Sequence, residues 1–214
     1  MSPPGVQTHE SEAPDGRLLH RPADGVDTAR VAELVRELLV VLGEDPEREG
    51  LLATPRRVAN WWREFLEPPA ALVPTSFSET RLSDQLVVVS GMEVWSLCEH
   101  HLLPMRLELT VGYVPADSVL GLSKFARIAR RHAGRLQLQE RFTRQVAREV
   151  QEATGNEDVA VAARGEHLCM SMRGVRMESA STSTVLAFGR LREDAVLSQQ
   201  FLAFAQTTGS GRPR

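Results

Sequence analysis

Apolar residues at Val31, Leu34, Val35, Leu38, Leu39 and Leu42 recur at steps of three and four, which predicts an amphipathic helix from Thr28 that stops at Gly43. Asp45-Pro46 and Thr54-Pro55 each set a capping side chain before a proline at a first helical position. Two further helices are predicted there, the second with Val58, Trp61, Trp62, Phe65 and Leu66 on an apolar, core-packing side. Prolines at 68, 69 and 74 then mark a loop. Strand signals follow: a β-branched run at Gln85 to Val89, and Leu107, Leu109, Val111 and Tyr113 alternating with polar residues and glycine. Helical spacing returns at Ser123 to His132 and again through Phe142, Val146 and Val150 to Gly155. Asp158 to Val161, Glu166 to Met172 and Thr182 to Phe188 read as three more strands. A last helix, Glu193 to Gln206, has Asp194 near its start and Phe201 and Phe204 on its apolar side.

Strands separated in pairs by helices predict an α+β fold, an antiparallel sheet with helices on one face rather than a doubly wound parallel sheet. The expected organisation is a mobile tail over residues 1–27, a helical segment and loop over 28–84, a catalytic domain over 85–206 and a C-terminal tail over 207–214.

Composition narrows the function. A formal charge of -3 offers no basic field for nucleic acid. No apolar run is long enough to span a bilayer, and the N-terminus lacks the layout of a signal peptide, so a cytoplasmic protein without membrane or nucleic-acid partners is expected. Of 25 basic side chains only Lys124 is lysine. A chain that has otherwise turned entirely to arginine keeps an ammonium where size and hydration matter.

The chemistry concentrates around the only two cysteines. Cys98-Glu99-His100-His101 sets a thiol, a carboxylate and two imidazoles side by side, and Cys169 follows His167 by two residues. Two soft ligands with one or two histidines suit zinc, and three protein ligands leave a position for water. His101, three residues after Cys98, can meet the same ion from a tight turn, whereas His100 leaves the backbone in another direction. On a strand, His167 and Cys169 would share a face, with Arg173 joining them if the strand runs straight. Lys124 and Arg173 supply charge for phosphate, and Gln139-Glu140 offers an amide and a carboxylate that suit a guanine edge. His132, beside Arg131, is expected on the surface. No Gly-rich phosphate loop is present.

Five blocks together, Cys-Glu-His-His-Leu-Leu-Pro from Cys98, Val-Gly-Tyr-Val-Pro from Val111, Gly-Leu-Ser-Lys from Gly121, Gln-Leu-Gln-Glu-Arg from Gln137 and His-Leu-Cys-Met-Ser-Met-Arg-Gly-Val from His167, resemble the GTP cyclohydrolase I family. Gly43 to Val58 also resembles its helical segment, and the likeness runs from about Val31 to Phe204. The resemblance implies zinc held by Cys98, His101 and Cys169, with His100 and His167 as acid-base histidines and Glu99 as their companion carboxylate. It implies Gln139 and Glu140 at the guanine ring, Lys124, Arg127 and Arg173 at the triphosphate, and Ser123 near the ribose. The implied reaction hydrates guanine C8, opens the imidazole ring, releases formate and rearranges the ribose to give 7,8-dihydroneopterin triphosphate. The resemblance also implies that His167 protonates the departing ring nitrogen. The implied fold is the tunnelling fold, an antiparallel sheet with two helices, assembled as a homo-oligomer: a decamer of two stacked pentamers with sites shared between subunits.

Met105-Arg106-Leu107-Glu108 departs from the Phe-Phe-Gly-Lys common in that family and is read as altered packing or subunit contact. Three other readings compete: a zinc-dependent relative acting on another purine nucleotide, a nitrile reductase of the same fold, and a non-catalytic zinc-stabilised binding module.

Overall fold

The structure, a computed structural model, describes residues 25–66, 76–77, 85–116 and 118–207. Most of the expected N-terminal tail, much of the 67–84 loop and residues 208–214 lie outside these. The chain divides into two compact units at Arg63.

In the first unit, α1 (Thr28–Val41) starts at Asp27, whose carboxylate accepts from the Arg30 N–H at 2.9 Å, and gives way to Gly43 at φ +83°, a conformation that glycine adopts without strain. Its predicted apolar stripe is present but uncovered: no residue of α1 is buried, and Leu34, Leu38 and Leu42 are exposed. The helix expected after Asp45 does not form. Asp45 Oδ1 accepts from the Glu47 N–H, but residues 47–53 make only successive turns, too short to offset the cost of nucleating a helix. The second expected helix is α2 (Thr54–Leu66). Only Ala59 is buried along it and Trp61 is exposed, so the aromatic group does not form the core face expected of it.

The second unit contains, in order, β1 (Ser76–Phe77), β2 (Val87–Cys98), β3 (Pro104–Tyr113), β4 (Val119–Leu120), α3 (Leu122–Ala133), β5 (Leu136–Gln137), α4 (Gln139–Thr154), β6 (Val159–His167), α5 (Leu168–Ser171), β7 (Thr182–Ala187), α6 (Arg190–Glu193) and α7 (Ala195–Thr207). The main sheet has the order β5-β2-β3-β6-β7, antiparallel except for the short β2–β5 pair, and β1 pairs with β4. β2 is longer than the run that predicted it. Gly91, at φ +71°, sits in a register shift between Val89 and Met92, so the alternation breaks there while pairing continues to Leu97.

Alternation along the strands makes two faces. Met105, Leu107, Leu109, Val111 and Tyr113 of β3 and Val159, Val161 and Ala163 of β6 form one core with Phe125, Ile128 and Ala129 of α3 and Phe142, Val146 and Val150 of α4. Ala160 and its neighbours form a second cluster with Leu191 and Phe201, so α7 packs on the face that was expected to lack helices. Gly112 makes this contact possible, since a Cβ there would lie 2.7 Å from the Phe201 ring. Phe204, expected beside Phe201, is exposed instead. In the 105–108 segment Met105 and Leu107 are fully buried and Arg106 pairs with Glu166 across the sheet at 3.0 Å.

His132 is not a surface residue. It is buried, with Nε2 2.7 Å from Glu149 Oε2, while Arg131 Nη1 lies 2.7 Å from Glu149 Oε1, which ties α3 to α4. Burial works against ionising Glu149, but His132, Arg131 and Lys124 together hold its carboxyl below its ordinary range. A depressed folded-state value means that this stabilisation is present above the ordinary carboxylate range and lost as pH falls through the depressed one. Glu149→Gln is therefore expected to cost about 2 kcal/mol near neutral pH. Thermal melts of the two proteins should converge as the pH is lowered below the carboxylate range, and a gap that stays constant or widens would contradict the linkage.

Candidate metal centre and active site

The site forms where β2 ends, because β3 pairs on both sides and holds two distant segments level. Leu97 faces Pro104 on one side, and Met105 faces His167 on the other. The turn from Cys98 is closed by the Cys98 N–H on Leu103 O and the Leu102 N–H on Cys98 O, both at 2.8 Å. Leu102 takes φ +56° to allow it, a left-handed conformation that costs about 1 kcal/mol or more for a leucine. The turn aims His100 and His101 back along the strand, with Nδ1 atoms 3.8 and 3.9 Å from Cys98 Sγ.

Cys169 arrives by a route that the sequence pattern did not indicate. The expected strands at 158–161 and 166–172 are one strand, β6, ending at His167, and Cys169 lies in the helical turn α5. Strand alternation therefore does not align His167, Cys169 and Arg173. The turn still brings Cys169 to the cluster: ligand atoms of Cys98, His101 and Cys169 all lie within 4.8 Å of one another, a group that excludes His100. Arg173, beyond the turn, sets Nη1 2.6 Å from His101 Nε2.

This donor set fits zinc. Ligand atoms about 2.3 Å (sulfur) and about 2.0 Å (nitrogen) from one tetrahedral ion stand roughly 3.5–3.8 Å apart, near the spacing seen here. Burial and the neighbouring Cys98 thiol push the Cys169 thiol up, with Arg173 opposing. Two thiols packed together resist becoming two thiolates until a cation joins them.

The other expected residues fall into three groups. His167 is half-buried beside the cluster, and burial holds its imidazole below the ordinary range against the pull of Glu140. Glu140 is exposed in the first turn of α4 and free to face a ligand. Gln139 does not present its amide as expected. It is 2% exposed, its Nε2 donates to Ala163 O and Thr182 O, and its Oε1 is 2.8 Å from His167 Nε2. Glu99, expected beside His100, is ion-paired with Arg141.

Arg141 is a residue that patterning did not single out, although it closes the Gln-Leu-Gln-Glu-Arg block. Besides Glu99 it donates from Nε to Gln137 Oε1 at 3.0 Å and from Nη2 to Leu136 O at 3.1 Å. Gln137, buried, donates in turn to His132 O and Gln145 Oε1. This clamp joins α4, β5 and the turn that follows Cys98.

Ser123, Lys124 and Arg127 are not brought to the cluster. The end of α3 meets the metal end of β2, where Ser96 Oγ donates to Arg135 O. Its start lies with Phe125 against Tyr113, which pairs with Val87 at the opposite end of that strand. Twelve residues of helix place the two ends of α3 roughly 18 Å apart. A cleft of about 420 Å³ lined by Thr110, Arg164, Thr184 and Leu202 contains none of the candidate residues.

The comparisons with known proteins agree with one another. The sequence profile of the family described as GTP cyclohydrolase I matches residues 31–206. The GTP cyclohydrolase 1 of Hyperthermus butylicus is 46% identical over 176 residues, covering 82% of this chain and 89% of its own length. That of Deinococcus radiodurans is 42% identical over 182 residues, covering 84% of each, and that of Streptomyces coelicolor 44% over 175, covering 79% of this chain and 86% of its own length. On the profile match and these identities, this chain belongs to the GTP cyclohydrolase I family.

Proposed function

We propose that this chain is a zinc-dependent GTP cyclohydrolase I, converting GTP and water to 7,8-dihydroneopterin triphosphate and formate in the cytoplasm. The observation that carries the reading is the meeting of Cys98, His101 and Cys169 beside His100 and His167, in a chain of this family. A bound zinc would lower the pKa of a water molecule and make it a nucleophile for guanine C8. The chain supplies the rest. His100, exposed and outside the ligand group, takes the proton of the attacking water. His167 gives a proton to the ring nitrogen as its bond to C8 breaks and the bonding pair stays on nitrogen. Glu140 accepts from the N–H pair of the guanine edge. If His101 held the metal through Nδ1, its Nε2 would carry the proton and could no longer accept from Arg173, whose guanidinium would then be available to phosphate.

The same reading requires more than one copy of the chain. Ser123, Lys124 and Arg127 are assigned to ribose and triphosphate, yet Ser123 and Lys124 lie in the first turn of α3, away from the end that meets the Cys98 end of β2, with Arg127 at mid-helix, so in this reading a neighbouring subunit brings them to each site. The homo-oligomer, a decamer of stacked pentamers with shared sites, is supported by the apolar groups one chain leaves exposed: Leu38, Val41 and Leu42 on α1, and Met172, Val175 and Met177 beyond α5. The tunnelling fold is supported by the antiparallel β2-β3-β6-β7 sheet with α3 and α4 on one face. No helix among the described residues is long and apolar enough to cross a membrane.

Zinc-loaded protein is expected to release formate from GTP and to yield a pterin that fluoresces after oxidation. Unchanged GTP after prolonged incubation would refute the reading, and other purine triphosphates run in parallel report the base preference. Lys124→Ala and His167→Ala should each be inactive, and oligomers assembled from both should regain activity, because some sites then draw an intact Lys124 and an intact His167 from different chains. Mixed oligomers as silent as their parents would place both residues in one chain's site. Arg141→Gln, which releases Glu99 and the metal-holding turn, should weaken zinc about 10- to 100-fold in competition with a chelator, and unchanged zinc affinity would limit Arg141 to packing.

A further inference from the structure

We infer that Gln139 is a positioning residue: with Gly165 it fixes the ring of His167 so that Nε2 faces the protein and Nδ1 is the nitrogen left to handle the proton. The inference rests on His167 acting as proton donor, as proposed above, and follows from counting donors and acceptors.

An amide side chain is normally ambiguous, since its two ends look alike. Here the surroundings decide. The Nε2 end of Gln139 lies 3.1 Å from Ala163 O and 3.0 Å from Thr182 O, backbone carbonyls that can only accept. Both N–H groups are thereby used, with Thr184 Oγ1 a further neighbour at 3.3 Å. That hydroxyl is itself ordered by its 2.7 Å contact with Thr143 Oγ1, whose own hydroxyl bonds Gln139 O at 2.9 Å. The Oε1 end must then accept, so His167 Nε2, 2.8 Å away, must carry a hydrogen. In the neutral ring this leaves the lone pair on Nδ1, and in the charged ring it leaves the Nδ1–H as the proton not already engaged.

Gly165 is the independent second observation. Two residues before His167 on β6, it lies beneath both groups: a Cβ built on it would fall 2.9 Å from His167 Nε2 and closer still to Gln139 Oε1. The strand leaves out a side chain at the one place where the amide and the imidazole meet. A buried amide with its donors saturated cannot also reach the guanine edge, so base recognition falls to Glu140 while Gln139 acts through His167.

Gln139→Leu keeps the side-chain volume and removes the acceptor; Gly165→Ala keeps the amide but pushes it and the ring apart, and serves as the second variant should Gln139→Leu fail to fold. In zinc-loaded protein each is expected to lower kcat for formate release roughly 100-fold through misplacement of the proton donor, with zinc bound per chain unchanged and the KM for GTP within about twofold. Long-range 15N–1H correlation spectra of histidine-labelled protein, assigned with His167→Ala, should show neutral His167 protonated at Nε2. They should also show that preference lost in Gly165→Ala. A raised KM with kcat intact would return Gln139 to substrate recognition, and Nδ1 protonation in the unmodified protein would overturn the inference. Absence of turnover in the unmodified protein would count against the cyclohydrolase reading instead, and the spectra would still decide whether Gln139 sets the ring.

Discussion

The structure turns on two thiols that the sheet forces together. Cys98 ends β2 and Cys169 lies in the turn after β6, 71 positions on, and what makes them neighbours is β3 between those strands. Backbone pairing along both edges of β3, interrupted on the β2 side by the bulge at Gly91, leaves little freedom of register, because a slip of one residue would turn the buried row Met105, Leu107, Leu109 and Val111 toward the other face. The hydrophobic core of β3 thus fixes where the two sulfurs end up. Burial and Cys98 push the Cys169 thiol up, and two sulfurs and an imidazole gathered within 4.8 Å of one another have the spacing and chemistry of a group that could hold a metal ion.

A second set of buried polar groups surrounds the first and sets its geometry. Gln137, Gln139, Thr143 and Gln145 are nearly inaccessible to solvent, and all lie on β5 or the first half of α4. Buried amides of this kind are costly unless satisfied, and satisfied amides permit very few arrangements. One arm of the network reaches Glu99 through Gln137 and Arg141, and the other reaches His167 through Gln139. His100 and His167, the histidines proposed to handle protons, therefore sit on segments steadied from the same helix start.

How much of this was legible in the sequence follows from what each signal measures. Spacing located Cys98, His101 and Cys169 because ligand chemistry is local and two cysteines leave few choices. Periodicity found β3, α1, α3 and α4 because their patterns are uninterrupted. It failed at β2, where Gly91 resets the alternation, and at α5, where a single helical turn between β6 and the 172–181 segment has no period to detect. It also misplaced His132, a polar residue in a helical pattern, and did not show that Gln139 would be buried. Polarity argues for the surface unless a partner waits inside, and Glu149 and the carbonyls of Ala163 and Thr182 become visible only when the helices are docked. The family resemblance implied Gln139 at the guanine ring; what the packing adds is that its amide is bonded to Ala163 O, Thr182 O and His167.

The distribution of charge leads to the last step. The cations assigned to triphosphate stand apart in one chain: Arg173 beside His101, Lys124 in the first turn of α3 and Arg127 at its middle. A fold built for a single-chain site would gather them, since bringing phosphate-binding groups together from separate molecules gives up entropy that one polypeptide has already lost. Keeping them apart has a compensating consequence. Arg173 and the pair on α3 repel one another, and a free monomer holding all three in one pocket would bear that repulsion with no phosphate to offset it. In the proposed assembly the positive pocket would come into being only on association, and the exposed apolar residues on α1 and beyond α5 would contribute the free energy that closes it.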